Sequence, residues 1–324
     1  QFEVFSTAAE WFFNESLRGF HNYHAVECDV GFRQKSALVF DLEETVRALN
    51  RLIPFDDELI ESCVALVRAS DCRAVLCDIS PMGIAVAERA GLPSLLLENF
   101  SWPWLYAPLF EKAPALRRLS TELDHWTEQA TVHLQTEPLC ARDESLELVD
   151  PVSREATMSR AEARDALNLR RDGTVVVVTM GGYHEELTYL DHLRSMSGVT
   201  FLVTGAPETR KEGNLRLFDN ETPLFMPDFL RASDAVVAKL GYGTIAEVWR
   251  EGLPFAYVTR PEFREMPPLE AFAERELSGF LVKPEEFAAG AWARRIPELL
   301  EMPRRPRPDR GGAGRVAEAL LALA

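Results

Sequence analysis

Four consecutive valines, Val175 to Val178 within "TVVVVTM" (174–180), constrain this fold more than any other stretch of the chain. β-Branched side chains are stiff and fit the pleated surface of a strand. Side chains of a strand alternate between its two faces, so an unbroken apolar run is buried on both. That is the setting of a strand inside a parallel sheet covered by helices. The rest of the chain keeps the same rhythm. "FEVFS" precedes the helical pattern "AAEWFFNESL", and "AVLCDIS" (74–80) precedes "PMGIAVAERAG" (81–91) and the run "PSLLLENF". Residues from Trp102 to about Thr131 read mainly as helix, interrupted near Pro108 and Pro114, before "TVHLQ". "TFLVTG" (200–205), "AVVA" (235–238) and "PFAYVT" (254–259) supply further strands. The pattern predicts an α/β protein with doubly wound parallel sheets.

Local signals agree. Ser80 and Pro81 read as an N-cap and first helical residue, and Gly91 as a helix stop. Ser159 and Glu162 have the spacing of a capping box. The rhythm lapses over 137–158, which is polar and carries Pro138 and Pro151, and the domain boundary is placed there. A chain of 324 residues, 47% hydrophobic, suits two cores. The expected domains are 1–150, 151–310 and a C-terminal helical segment, 311–324.

The formal net charge of -16 argues against nucleic acid and anionic membranes as partners. No apolar run reaches the ~18 residues of a spanning helix. The five cysteines show no metal-knuckle spacing, and reduced thiols in a cytoplasmic protein are expected. His21 and His24 are too isolated to propose as metal ligands. The chain opens at Gln1, directly into an apolar strand, and reads as one that lacks an N-terminal segment.

In doubly wound sheets, ligands bind beyond the carboxyl ends of the strands, so the strand-to-helix loops carry the functional candidates. "VVAKLGYGTIAEV" (236–248) places Lys239, Gly241 and Gly243 between a buried strand and a helix expected to open at Thr244. Glycines allow close backbone approach, and a helix start offers unpaired amides and partial positive charge, which together suit a phosphate. Thr244 and Glu247 have capping-box spacing; Glu247 could equally accept ribose hydroxyls. Gly181 and Gly182 follow the valine strand and suit close approach to a diphosphate or a plain tight turn, with His184 nearby. Arg260, Arg264 and Glu265 cluster before another helix. In the first domain Asp78 ends a strand. Asn99 and Trp102, among other polar and aromatic residues of "ENFSWPWLYA", suit either an acceptor surface or a domain interface. The arginines at 304, 305, 307 and 310 read as an exposed interdomain segment. No Ser-His-Asp order, H-E-x-x-H or GxSxG is found, which weakens hydrolase and metalloprotease readings.

Together these loops resemble the two-domain GT-B glycosyltransferases, and in particular the transferase-like region that precedes the kinase domain in plant L-arabinokinases. The likeness rests on "DVGFRQKSALVFD", "CDISPMGIAVAERAGLPSLLLENFSWPWLYA", "MGG", "KLGYGTIAEVWREGLPFAYVTRPEFREMPPL" and the terminal "GGAG". It spans nearly the whole chain and implies no kinase activity. A more distant likeness is to the transferases that add N-acetylglucosamine to the peptidoglycan lipid precursor. The resemblance implies two Rossmann-like domains facing a cleft, with a C-terminal helix packing back toward the first. It implies a nucleotide-diphosphate sugar as donor, no cofactor and no metal. Thr244 would meet phosphate, Glu247 the ribose, Gly181 and Gly182 the diphosphate, and Glu265 the donor sugar. Met266 departs from the polar residue usual beside Glu265. The first strand and Gly-rich loop of such proteins are not found, and Asp78 is left as the candidate base. The leading expectation is sugar transfer to an acceptor hydroxyl. The alternatives are a non-catalytic nucleotide-sugar binding module and a sugar-nucleotide epimerase.

Overall fold

Apolar runs become strands and periodic segments become helices, and the chain sorts them into two units. The computed structural model describes residues 1–34, 40–181, 187–219, 225–305, 307 and 311–324. Unit 1 comprises Gln1–Asp150 with Gly312–Ala324, and unit 2 comprises Pro151–Gly311.

Unit 1 begins with β1 (Phe2–Ser6), α1 (Glu10–Leu17) and β2 (His21–Ala25), a parallel two-stranded sheet. Helices α2 (Leu42–Leu52) and α3 (Asp57–Ala69) follow, capped by the Asp41 and Asp56 carboxylates. Next come β3 (Val75–Asp78), α4 (Met82–Ala90), β4 (Ser94–Glu98), α5 (Trp102–Tyr106), α6 (Ala115–Thr127), β5 (Val132–Thr136) and β6 (Glu147–Val149). The four strands β3-β4-β5-β6 pair in parallel in that order. Their carboxyl ends therefore lie along one edge.

One sequence expectation changes here. Pro81, not Ser80, stands at the N-cap of α4, and the Ser80 hydroxyl donates to the Cys28 carbonyl at 2.7 Å. The polar stretch from 137 to Asp150 is ordered within unit 1. Asn99 Nδ2 donates to the carbonyls of Thr136 and Pro138, and Gln135 Oε1 accepts from Arg142 and the Asp143 amide. These long-range bonds order polar residues that carry no periodic signal of their own.

Unit 2 contains α7 (Arg160–Ala166), β7 (Thr174–Thr179), α8 (Leu190–Arg194), β8 (Val199–Thr204), β9 (Arg210–Glu212), β10 (Leu215–Phe218) and α9 (Met226–Ala232). It continues with β11 (Ala235–Lys239), α10 (Tyr242–Glu251), β12 (Phe255–Val258), α11 (Met266–Glu276), β13 (Gly279–Val282), α12 (Pro284–Ala288) and α13 (Ile296–Glu301). The sheet order is β13-β12-β11-β7-β8-β10-β9, parallel except for β9 against β10. The valine strand β7 lies at its centre, and Val175 to Val178 are buried. Each fully buried valine contributes roughly 1.5–3 kcal/mol. Ser159 and Glu162 form the capping box of α7.

The arginine stretch after α13 is held by unit 2. Arg304 donates to the Ser233 carbonyl, and Arg307 pairs with Glu276. Arg310 lies outside the described residues. The chain ends in α14 (Gly311–Leu323), whose Val316 and Ala319 pack on Leu95, Leu97, Leu134 and Val149 of unit 1. Gly312 permits this approach: a Cβ there would stand 1.9 Å from the Asp150 carbonyl oxygen. Arg315 forks onto Glu147 with two 2.7 Å bonds.

Candidate functional site

In unit 2 the carboxyl ends of β7, β11 and β12 lie side by side, because these strands are parallel neighbours. β11 ends at Lys239, and only Leu240 and Gly241 separate it from α10. The helix opens at Tyr242, two residues earlier than expected. Thr244 is its third residue rather than its cap, and the first backbone helical bond runs from the Ile245 amide to the Gly241 carbonyl at 2.9 Å. The N-cap is Gly241, which has no side chain to cap the first turn. The amides of that turn and the helix dipole thus face the sheet edge without a side-chain acceptor from their own cap.

The glycines of this loop differ in their reasons. Gly181 has φ +76°, a conformation that excludes most side chains, and its backbone lies against Lys239: a Cβ there would be 3.6 Å from Nζ. Gly241 has an extended backbone, and Gly243 is helical. Among the described residues, a Cβ at either would meet nothing within 4 Å. Contacts with the described residues do not require glycine at 241 or 243, and their bare backbones leave space over the helix terminus there. Gly182 and His184 lie outside the described residues.

Both carboxylates expected to meet the donor have protein partners. Glu247 is 6% exposed and accepts from Arg154 Nε at 2.7 Å. Burial raises its pKa, against the opposing charge of Arg154. The Arg154 guanidinium in turn lies over the Phe225 ring. Glu265, also buried, accepts from Arg260 Nη2 at 2.7 Å. Burial pushes its carboxyl up, while Arg260 and Lys239 pull it down, so Lys239 and the Arg260–Glu265 pair share one electrostatic environment. Arg154 is a site neighbour that sequence reading missed; it lies 93 residues from Glu247, and no local spacing marks it.

In unit 1 the carboxyl edge brings Asp78 near a residue the sequence reading did not single out, Asp29. Asp29 Oδ2 accepts from Trp102 Nε1 at 2.8 Å, and Oδ1 accepts from the Val30 amide at 2.8 Å. Burial, with some repulsion from Asp78, raises the Asp29 carboxyl to about 6. Asp78 keeps an exposed side chain at the end of β3, yet surrounding protein withdraws enough water to raise its pKa as well. Between Asp78 and Ser80, Ile79 adopts φ +61°, an outlier for a β-branched residue. Trp102 stacks on Tyr106 and supports Asp29. Asn99 instead serves the backbone bonds described above. The signal that could have found Asp29 is its place in "DVGFRQKSALVFD", one of the stretches that carry the family resemblance.

Two Rossmann-like units with this strand order define the GT-B class, and solved structures bear this out. MurG from Acinetobacter baumannii is similar with a TM-score of 0.55 at 10% identity, over 99% of each chain. The glycosyltransferase VinC, solved in complex with dTDP, is similar with a TM-score of 0.56 at 15% identity, over 99% of this chain and 98% of that one. At such identities the likeness shows the fold, which is GT-B. In sequence the chain is related to L-arabinokinase from Arabidopsis thaliana, with 27% identity over 272 residues, 82% of this chain. It spans about a quarter of that relative's length, 26%. No protein-family profile matches the chain. Among the described residues no helix is long and apolar enough to cross a membrane.

Proposed function

We propose that this chain is a glycosyltransferase whose unit 2 takes the diphosphate of a nucleotide sugar at the first turn of α10, and whose unit 1 takes the acceptor. The observation that carries this reading is the space over Gly241 and Gly243, which contacts with the described residues do not demand. Bare backbone, a helix terminus and Lys239 on one edge suit a phosphate group. The dTDP bound to VinC, a protein of the same fold, supports a nucleoside diphosphate as the ligand class.

In the reaction, the bond from the sugar C1 to the diphosphate breaks as C1 gains positive character. Negative charge grows on the leaving diphosphate. Amides of the first turn of α10 and Lys239 stabilise that charge, one such oriented donor being worth ~3 kcal/mol of barrier. This reading assigns that role to protein groups and needs no metal. A carboxylate at the unit 1 edge, Asp78 by position, takes the acceptor proton. The five free cysteines favour a reducing, cytoplasmic setting.

A second reading is a nucleotide-sugar binding module without catalysis. It is favoured by the engagement of Glu247 and Glu265 with arginines, which leaves fewer acidic groups for substrate. Calorimetry with UDP-, GDP- and dTDP-sugars tests both. Binding by the wild type and its loss in Lys239→Ala supports the donor assignment; unchanged affinity in the variant refutes it. Binding with neither transfer nor hydrolysis supports the binding module.

A further inference from the structure

We infer that the edge of unit 2 carries a second anion position, one strand over from the α10 terminus, where Arg260 receives an anionic oxygen of the donor. This rests on the donor reading above and extends it to a group that reading leaves idle.

Arg260 follows β12 by two residues, and β12 pairs with β11 so that Val258 lies opposite Lys239. The Leu240 amide donates to the Val258 carbonyl at 2.8 Å, which ties the two loops together at their roots. The Arg260 side chain is only 10% exposed, and its guanidinium lies 4.1 Å over the Phe263 ring. Nη2 is engaged with Glu265, but the buried Nε–H has no hydrogen-bond partner among the described residues. Buried donors are almost always satisfied, so a buried guanidinium N–H without an acceptor calls for a ligand or water that supplies one. A clamp between this loop and α11 accounts for the Nη2 bond alone; it gives no acceptor to Nε.

Charge points the same way. Glu265 sits in the field of two cations, Arg260 and Lys239. Both cations act on one carboxylate, so positive charge gathers at this edge among the described residues of a chain whose total is -16. The planar guanidinium fork suits phosphate or carboxylate oxygens. The same chemistry could come from the second phosphate of the donor or from a carboxylate on its sugar.

The experiment is titration calorimetry of the whole chain with inorganic pyrophosphate, UDP-glucose and UDP-glucuronate, for the wild type, Arg260→Gln and Glu265→Gln. Arg260→Gln should weaken pyrophosphate and both nucleotide sugars on the order of 10-fold. Glu265→Gln removes the competing carboxylate and should bind at least as tightly as the wild type. A loss confined to UDP-glucuronate identifies the sugar carboxylate as the anion. A purely structural clamp would instead lower affinity in both variants, in step with a fall in melting temperature. Glu265→Gln keeps the proposal refutable even if Arg260→Gln does not fold: a loss of affinity there overturns it. Wild-type affinity of Arg260→Gln for all three probes also overturns it, while leaving the α10 reading intact if Lys239→Ala still loses binding. A wild type that binds none of the probes ends both.

Discussion

Glycine at positions 241 and 243 separates the demands of folding from those of binding. Gly243 lies within a helix, where alanine is favoured by roughly 1 kcal/mol, and open space receives the added methyl. Gly243→Ala should therefore melt at the wild-type temperature or slightly above it, and Gly241→Ala close to it. Both should bind a nucleotide sugar more weakly, on the order of 10-fold, if its phosphate rests on this backbone. Thermal melting beside calorimetry checks the pair of effects, and unchanged affinity would remove the phosphate from α10. Asp29 makes a second prediction at this scale. Its folded carboxyl titrates at about 6, above the ordinary value near 3.9. Between those values the folded state holds more protons than the unfolded one, so stability falls as pH rises. The contribution is fully present below about 3.9 and lost through about 6, with an upper bound of ~3 kcal/mol. Asp29→Asn retains an acceptor for Trp102 and cannot ionise. Its urea midpoint should fall less than that of the wild type between pH 4 and pH 7; equal losses would show that Asp29 does not titrate there.

Elements were legible where their own residues carry the signal and obscure where distant residues do. The valine strand, the runs that became β8, β11 and β12, and the Ser159–Glu162 box all announce themselves locally. β2 ("HNYHA") and β9 ("RKE") are too polar to stand out, and sheet pairing alone makes them strands. The Thr244–Glu247 spacing imitates a cap and points to a start of α10 two residues later than Tyr242. The turn from β11 is in fact completed at Gly241, and Glu247 faces Arg154. Arg164 is the extreme case of a role hidden from sequence. It is 3% exposed and donates to the carbonyls of Ala232, Arg170, Arg171 and Gly173 and to Asp234. It thereby joins α7 to the segments before β7 and β11. Arg164→Ala takes the donor from those four carbonyls, while Asp234 keeps Arg160 and the Val175 amide, and should cost ~1–3 kcal/mol, read as a lowered urea midpoint. Gly312→Ala should also destabilise the chain, by ~2 kcal/mol or more, because α14 must lift from the Asp150 carbonyl to admit the methyl. A wild-type melting temperature in Gly312→Ala would mean that α14 is not seated on unit 1 in solution.

At the scale of the whole molecule, two compact units allow the two halves of the proposed reaction to be tested independently. Unit 2 gathers Gly181, Lys239, the first turn of α10 and Arg260 along one edge; unit 1 gathers Asp29, Asp78 and Trp102 along another. A nucleotide sugar at 100 times its Kd stabilises the fold that binds it by ~2.7 kcal/mol. If that energy enters through unit 2, amide exchange should slow at the ends of β7, β11 and β12 and along the start of α10. These amides lie at the sheet edge beside the bound phosphate. The amides of β4 and β5, buried in unit 1, should then keep their exchange rates. Hydrogen-exchange mass spectrometry with and without a nucleotide sugar identified by calorimetry measures both at once. Protection confined to unit 1 would reverse the assignment of donor and acceptor sides. The acidity of the molecule adds a condition to this experiment. A net charge of -16 opposes the approach of a diphosphate from a distance, so under the proposed reading Lys239, Arg260 and the α10 terminus attract it at short range. Raising salt screens both effects but reaches the long-range repulsion first. Protection measured at fixed ligand should therefore hold, or improve, from low to physiological ionic strength; a steep loss over that range would place the ligand on exposed surface charges instead of the buried edge of β11 and β12.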